Sequence, residues 1–188
     1  YSDPSYRGPV VVAGNCAAYY SELSGRLGPA DFAHVIAKYD GELRYTDEAL
    51  GELFAALRAS GLYERSVIIL TSDHGENFDD HPAYLIGHGE LYDEVVKIPL
   101  LIKGPGLHAG QRYDAQVESI DIMPTVLELL ALATPARMDG QSLLALARGQ
   151  ALDRDHAFSE NHWRSFDDDW QRWISRGSEM IRSRDWKL

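Results

Sequence analysis

The 188-residue chain contains 45% hydrophobic and 25% charged residues, a composition typical of a globular protein and not of a disordered one. Its formal net charge of −11 argues against nucleic acid as a partner, because nucleic acid binding requires a concentrated basic surface. No apolar run approaches the roughly 20 residues of a membrane-spanning helix. The single cysteine, Cys16, excludes an internal disulfide and leaves the cellular compartment undetermined.

The first 60 residues predict a surface segment followed by a helix. Turn signals and one short apolar run in residues 1–24 indicate a surface excursion. Apolar residues then recur at spacings near 3.6 between Phe32 and Leu57, which predicts one long helix or two helices joined at Asp40-Gly41. Gly61 is the expected stop signal.

Two apolar runs predict buried strands on either side of a long loop. Val67–Leu70 predicts a fully buried strand of a mostly parallel sheet, and the run at residues 95–103 predicts a second buried strand. A loop of this length in a compact domain is usually functional or mobile. Ligands of α/β sheets bind beyond the carboxyl ends of strands, so we expect Asp73 and His74 at the rim of a binding crevice.

Further elements are predicted beyond Gly106 from apolar patterning and turn signals. In chain order they are a strand over Asp114–Ile120, a helix from Ile122 to Leu132 with Asp121 as its N-cap, a short helix over Ser142–Arg148, a strand over Ala157–Glu160, an acidic and Trp-rich insertion over His162–Gly177, and the start of a strand at Arg184.

Three sequence blocks follow one another at the centre of the chain: Thr-Ser-Asp-His-Gly-Glu at 71–76, Gly-His-Gly-Glu-Leu-Tyr-Asp-Glu at 87–94 and Ile-Pro-Leu-Leu-Ile-Lys-Gly-Pro-Gly at 98–106. Together they resemble the second half of a sulfatase, a family of the alkaline-phosphatase superfamily. The resemblance implies an α/β fold with a mixed, mostly parallel sheet flanked by helices. Residues 1–188 would then form one partial domain, the C-terminal portion of the catalytic domain.

The resemblance also implies roles for individual residues. Asp73 and His74 match the metal-binding pair of the family, and His88 matches a position where many sulfatases have a lysine or histidine that contacts the sulfate ester. His88 is therefore the catalytic candidate, and His81 and Lys97 are candidates for substrate binding. Sulfatases typically use Ca²⁺, while an imidazole ligand also admits Zn²⁺ or Mn²⁺ and an oxygen-rich site admits Mg²⁺.

Each candidate also has an interpretation without function. Asp73 could be an N-cap or turn aspartate, which is common at strand ends. His81 and His88 could be solvated loop histidines. Lys97 could simply form an ion pair with Glu94 or Asp93.

The nucleophile of the family is absent from these 188 residues. Sulfatases attack with a formylglycine made from a Cys/Ser-x-Pro-x-Arg motif, and two further metal-binding aspartates lie near their N-terminus. Cys16 is followed by Ala-Ala-Tyr, and the segment that begins at Ser2 has Tyr6 at the arginine position. We therefore expect the formylglycine to lie outside this chain, and we expect the chain alone to be inactive.

The sequence thus predicts a fragment of a sulfuric ester hydrolase that acts on a sulfate-ester small molecule or glycan. Two alternatives stay open. The first is a phosphodiesterase, phosphonate hydrolase or phosphoglycerol-type transferase of the same superfamily, and the second is a degenerate, non-catalytic binding module. The substrate, the metal, the oligomeric state and the localisation are not assigned by the sequence.

Overall fold

A computed structural model describes residues 4–10, 26–81, 84–167, 172–183 and 187. Most of the predicted surface excursion, Cys16 and most of the strand predicted at Arg184 lie outside these ranges. The chain divides into two compact units, one formed by residues 1–65 with 74–88 and the other by residues 66–73 with 89–188. No helix in the described ranges combines the length and the apolar character of a bilayer crossing.

The first unit is built on one long helix, α1, which spans Pro29–Ala59. The Asp31 carboxylate accepts the Gly28 N–H at 2.8 Å, which closes the first turn. Gly61, with a φ of 69°, follows the last turn as predicted. The helix is continuous through Gly41, because one interior glycine costs only about 1 kcal/mol. The single-helix prediction is therefore confirmed, and the two-helix alternative is wrong.

A β-hairpin follows where the sequence predicts a long loop, so that prediction is wrong. Its strands are β2 (Asn77–His81) and β3 (Tyr84–Gly87), which pair antiparallel. Side chains of β2 support the turn of its own backbone, since Asn77 Oδ1 accepts the Asp80 N–H at 3.0 Å and Asp80 Oδ2 accepts the Phe78 N–H at 3.1 Å. Polar residues that form such bonds hide a strand from an apolar-pattern analysis.

The core of the first unit lies between α1 and this hairpin. Val10 and Val35 are its buried centre, with 4% and 6% of their surface exposed. Partly buried side chains pack around them: Tyr6, Leu27, Phe78 and Ile86. His34 stacks on Tyr6 with ring centroids 3.8 Å apart, so it packs against this core.

The second unit contains the strands β1 (Ile68–Thr71) and β4 (Leu100–Lys103), with a helical turn, α2 (Asp93–Val96), between them in sequence. The strand predicted over 95–103 is confirmed only for its last part. β1 is half-buried and Thr71 is exposed, so the prediction of full burial is wrong. The two strands pair antiparallel, as do the other strand pairs that the structure describes.

The remainder of the second unit comprises α3 (Ile122–Leu129), α4 (Leu144–Ala147) and a long hairpin of β5 (Ala157–Asp167) with β6 (Arg172–Arg182). Both helices were expected, whereas the described residues of the predicted Trp-rich insertion, 162–167 and 172–177, belong to these two strands. The pairing runs without a register shift from Ala157↔Arg182 to Asp167↔Arg172. The sequence pattern did not predict strands in this segment, because its acidic and aromatic residues do not alternate as in a half-buried strand.

No strand forms over 114–120, which corrects the prediction for that segment. It is irregular and ends in a 3₁₀ turn at Ser119–Asp121. Asp121 does precede α3, but its fully buried carboxylate accepts the backbone N–H groups of Glu118 at 2.9 Å and of Gln141 at 2.8 Å. Arg154 completes the cluster, with Nη1 2.6 Å from Asp121 and 2.9 Å from Glu118. This charged cluster joins segments that are far apart in sequence.

Candidate functional site

Two of the predicted site residues lie together in the first unit. The imidazole rings of His74 and His88 stack, with centroids 3.8 Å apart and an angle of 22° between their planes. Both residues are exposed, so a ligand can reach them. The structure thus joins the first and second sequence blocks of the family resemblance.

The hairpin explains this approach. His74 lies three residues before β2 and His88 follows β3 directly, while Asn77 pairs with Gly87 at the open end of the hairpin. Gly87 has a φ of 147°, a conformation that side chains with a Cβ rarely adopt. The chain can therefore leave β3 in the direction that places His88 over His74.

Glu76 is a third member of this cluster, and sequence reasoning assigned it no role. Its Oε2 lies 3.3 Å from His88 Nδ1. The carboxylate is 22% exposed, and its Oε1 is buried with no hydrogen-bond partner among the described residues. Its place in the Asp-His-Gly-Glu block was the available signal.

His81 occupies the opposite end of the same hairpin, where it pairs with Tyr84. The pairing register shifts between Phe78 and His81, and Asp79 has a φ of 69°, so this part of β2 is not fully extended. Along the ladder, His81 lies at the end opposite the Asn77–Gly87 pair, which His74 and His88 flank in sequence.

Asp73 and Lys97 belong to the second unit. Asp73 is exposed and lies two residues beyond the end of β1, which is the predicted position after a strand. Lys97 is an exposed residue directly after α2, and its backbone N–H donates to the Asp93 carbonyl at 2.9 Å.

The Asp93 carboxylate is bound by residues from the C-terminal part of the chain. Arg182 donates to it, and Lys187 Nζ lies 3.0 Å away. The hydrogen bond from Arg182 is the main reason that the pKa of Asp93 falls to about 2. The hairpin of β5 and β6 makes a second contact with this segment, since Asn161 Nδ2 donates to the Gly89 carbonyl at 2.6 Å. The segment that follows His88 in sequence is thus held at both ends within the second unit.

The described residues form no complete metal site. His74 Nδ1 lies 2.8 Å from the Gly75 carbonyl, so a metal would have to bind through Nε2. Within the described ranges, no group of three or more His, Cys, Asp or Glu side chains is arranged to hold a metal ion. The described residues therefore do not complete the site that the family resemblance implies.

A pocket of about 420 Å³ lies elsewhere in the first unit. It is bordered by the start of α1, including Phe32 and Ile36, and by Phe78 of β2. Its lining contains none of the predicted site residues, and its apolar character does not suit a sulfate ester.

The fold defines an α/β protein of the alkaline-phosphatase-like class. The solved phosphonate monoester hydrolase of Agrobacterium radiobacter is similar, with a TM-score of 0.71 and 27% identity over 84% of this chain and 33% of that one. Within this class, the model of the family described as Sulfatase matches residues 7–132, and the chain belongs to the sulfatase family. A second model, N-sulphoglucosamine sulphohydrolase, C-terminal, matches residues 87–188.

Two curated relatives illustrate the range of the family. The multifunctional alkaline phosphatase superfamily protein PehA of Trinickia caryophylli is 42% identical over 130 residues, which cover 68% of this chain and 25% of PehA. Arylsulfatase K of Bos taurus is 33% identical over 128 residues, which cover 68% of this chain and 23% of that protein. The chain therefore spans about a quarter of the length of these relatives.

Proposed function

We propose that the full-length protein that contains this chain is a metal-dependent sulfuric ester hydrolase whose substrate is a sulfated small molecule or glycan. Membership of the sulfatase family is the observation that carries this proposal. The stacked pair of His74 and His88 supports it, because it joins a metal-ligand candidate and a substrate-contact candidate in one exposed cluster.

In this proposal His88 contacts the sulfate ester. Negative charge develops on the sulfuryl oxygens and on the leaving oxygen as the S–O bond breaks, and an imidazole N–H can donate a hydrogen bond or a proton there. The exposure of His88 permits this contact. We propose that His81 and Lys97 bind the substrate.

We propose that Asp73 and His74 are two ligands of a divalent metal. The preferred ion is Ca²⁺, because Asp73 provides a carboxylate oxygen and sulfatases typically use Ca²⁺. Bound metal would supply polarisation of the sulfate oxygens. Sulfatases generally depend on a divalent metal and on formylglycine. The remaining ligands and the formylglycine are expected from parts of the protein outside these 188 residues, which we propose to be one part of a single sulfatase domain.

The test is steady-state kinetics of the full-length protein with 4-nitrophenyl sulfate, for wild type and His88→Ala. We expect kcat to fall about 100-fold, because His88 assists the leaving group. His108→Ala is the matched control, since His108 is an exposed turn histidine, and it should retain wild-type kcat. Equal kcat for His88→Ala and wild type would exclude the role of His88.

A phosphonate monoester hydrolase or phosphodiesterase is the second candidate. It is favoured by the 42% identity to PehA and by the similarity to the solved phosphonate monoester hydrolase. The same assay with 4-nitrophenyl phenylphosphonate separates the two functions. A higher kcat/KM for the sulfate ester supports the sulfatase proposal, and a higher value for the phosphonate ester supports the second candidate. Turnover of neither ester would favour the non-catalytic module.

A further inference from the structure

Glu76 has a position that fold stability does not explain. One of its carboxylate oxygens is buried, and no donor among the described residues reaches it. Burying a charged oxygen without a hydrogen bond is unfavourable, so a residue chosen for stability alone would not be a glutamate here. Its other oxygen lies 3.3 Å from His88 Nδ1.

The contact with Nδ1 determines how the imidazole of His88 is used. A carboxylate can only accept a hydrogen bond, so Nδ1 must carry the hydrogen in this pair. The same bond limits rotation of the ring, and stacking on His74 at 3.8 Å limits its tilt. With Nδ1 bound to Glu76, Nε2 is the nitrogen that can face a substrate.

We propose that Glu76 is a positioning residue that holds the imidazole of His88 with Nε2 directed at the ester. This inference rests on the proposed role of His88. Glu76 itself does not touch the reacting atoms, and it acts through the orientation of one side chain. Such partners of a functional histidine typically contribute a factor of about 10 to 100.

The test is a double-mutant cycle in the full-length protein with 4-nitrophenyl sulfate, using Glu76→Ala, His88→Ala and the double variant. We expect Glu76→Ala to lower kcat about 10- to 100-fold with a smaller change in KM, because the chemical step depends on ring orientation. In the His88→Ala background the same substitution should change kcat less than about twofold, because no imidazole is left to orient.

A conservative variant provides a readout that a merely structural role would not give. The side-chain oxygen of glutamine can accept the Nδ1 hydrogen, so Glu76→Gln should recover most of the kcat lost in Glu76→Ala. Glu48→Gln is the matched control, because Glu48 is an exposed helix glutamate paired with Arg44 at 2.8 Å, and it should behave as wild type. The bound metal, measured by elemental analysis, should be the same in wild type and Glu76→Ala.

Several outcomes overturn the inference. Equal loss of kcat from Glu76→Ala in both backgrounds would show that Glu76 acts independently of His88. Loss of bound metal in Glu76→Ala would assign its effect to the metal site. Normal kcat in Glu76→Ala with low kcat in His88→Ala would reject the inference and leave the proposed function standing. Normal kcat in His88→Ala would reject the role of His88, and the inference would fall with it.

Discussion

Arg154 and Asp121 form an ion pair that is almost completely withdrawn from solvent, at 9% and 0% side-chain exposure. Their charges are compensated by Glu118 and by backbone N–H groups. Removing one partner from such a cluster leaves an uncompensated buried charge. The resulting decrease in the free energy of unfolding is much larger than the contribution of an exposed ion pair.

We therefore predict that Arg154→Ala lowers the free energy of unfolding by about 3 kcal/mol or more. Urea denaturation of the full-length protein, followed by circular dichroism, measures the change. Arg112→Ala is the control, because Arg112 is 90% exposed and lies 3.5 Å from an exposed aspartate, and it should give no measurable shift. Equal shifts for the two variants would contradict the structural role of the cluster.

Asp93 gives a prediction about acid stability. Its pKa is about 2 in the folded chain against an ordinary value of 3.8, so the folded state favours the ionised form. The resulting stabilisation is fully present above pH 4 and is lost as the pH falls through about 2. Wild type should therefore have a higher urea midpoint than Asp93→Asn at pH 6, and the difference should shrink between pH 4 and pH 2. Asp114→Asn, at an exposed site, should follow wild type. A difference that stays constant with pH would disprove the assignment.

At the scale of elements, α1 carries glycines in its interior, and the surroundings of Gly51 are open. A Cβ added there would meet nothing within 4 Å. Gly51→Ala should raise the free energy of unfolding by about 0.5–1 kcal/mol, because alanine loses less backbone entropy in a helix. Thermal unfolding of the full-length protein measures the change.

Gly140→Ala is the opposing control for this prediction. A Cβ at Gly140 would collide with the backbone carbonyl of Ile120, and a backbone atom cannot move aside as a side chain can. This variant should lower the melting temperature. A destabilised Gly51→Ala would indicate that the exposed side of α1 is covered tightly in the full-length protein.

At the scale of the whole molecule, we propose that the chain supplies only part of the metal and nucleophile site. The described residues contain no group of three metal-ligating side chains, and the sequence has no Cys/Ser-x-Pro-x-Arg motif. Two ligands hold a divalent ion poorly without a complete shell. The isolated 188-residue chain should therefore show no turnover of 4-nitrophenyl sulfate and no tight Ca²⁺ binding by calorimetry. Full-length protein is the positive control, and turnover by the isolated chain would refute the prediction.

Features that depend on local pattern could be predicted from the sequence. The 3.6-residue periodicity defined α1, the break at Thr71 located the end of β1, and the three motif blocks assigned the family. These succeed because helix periodicity, strand ends and contiguous motifs are all written in neighbouring residues.

Contacts between residues distant in sequence became visible only in the folded structure. The hairpin of β2 and β3 formed in a polar segment, and its register together with the turn at Gly87 brought His88 to His74 and Glu76. Arg154, which lies outside any strand, contacts Asp121 across 33 residues. A contact between separated segments follows from strand register and burial, which no local pattern encodes, so the role proposed for Glu76 became visible only in the folded chain.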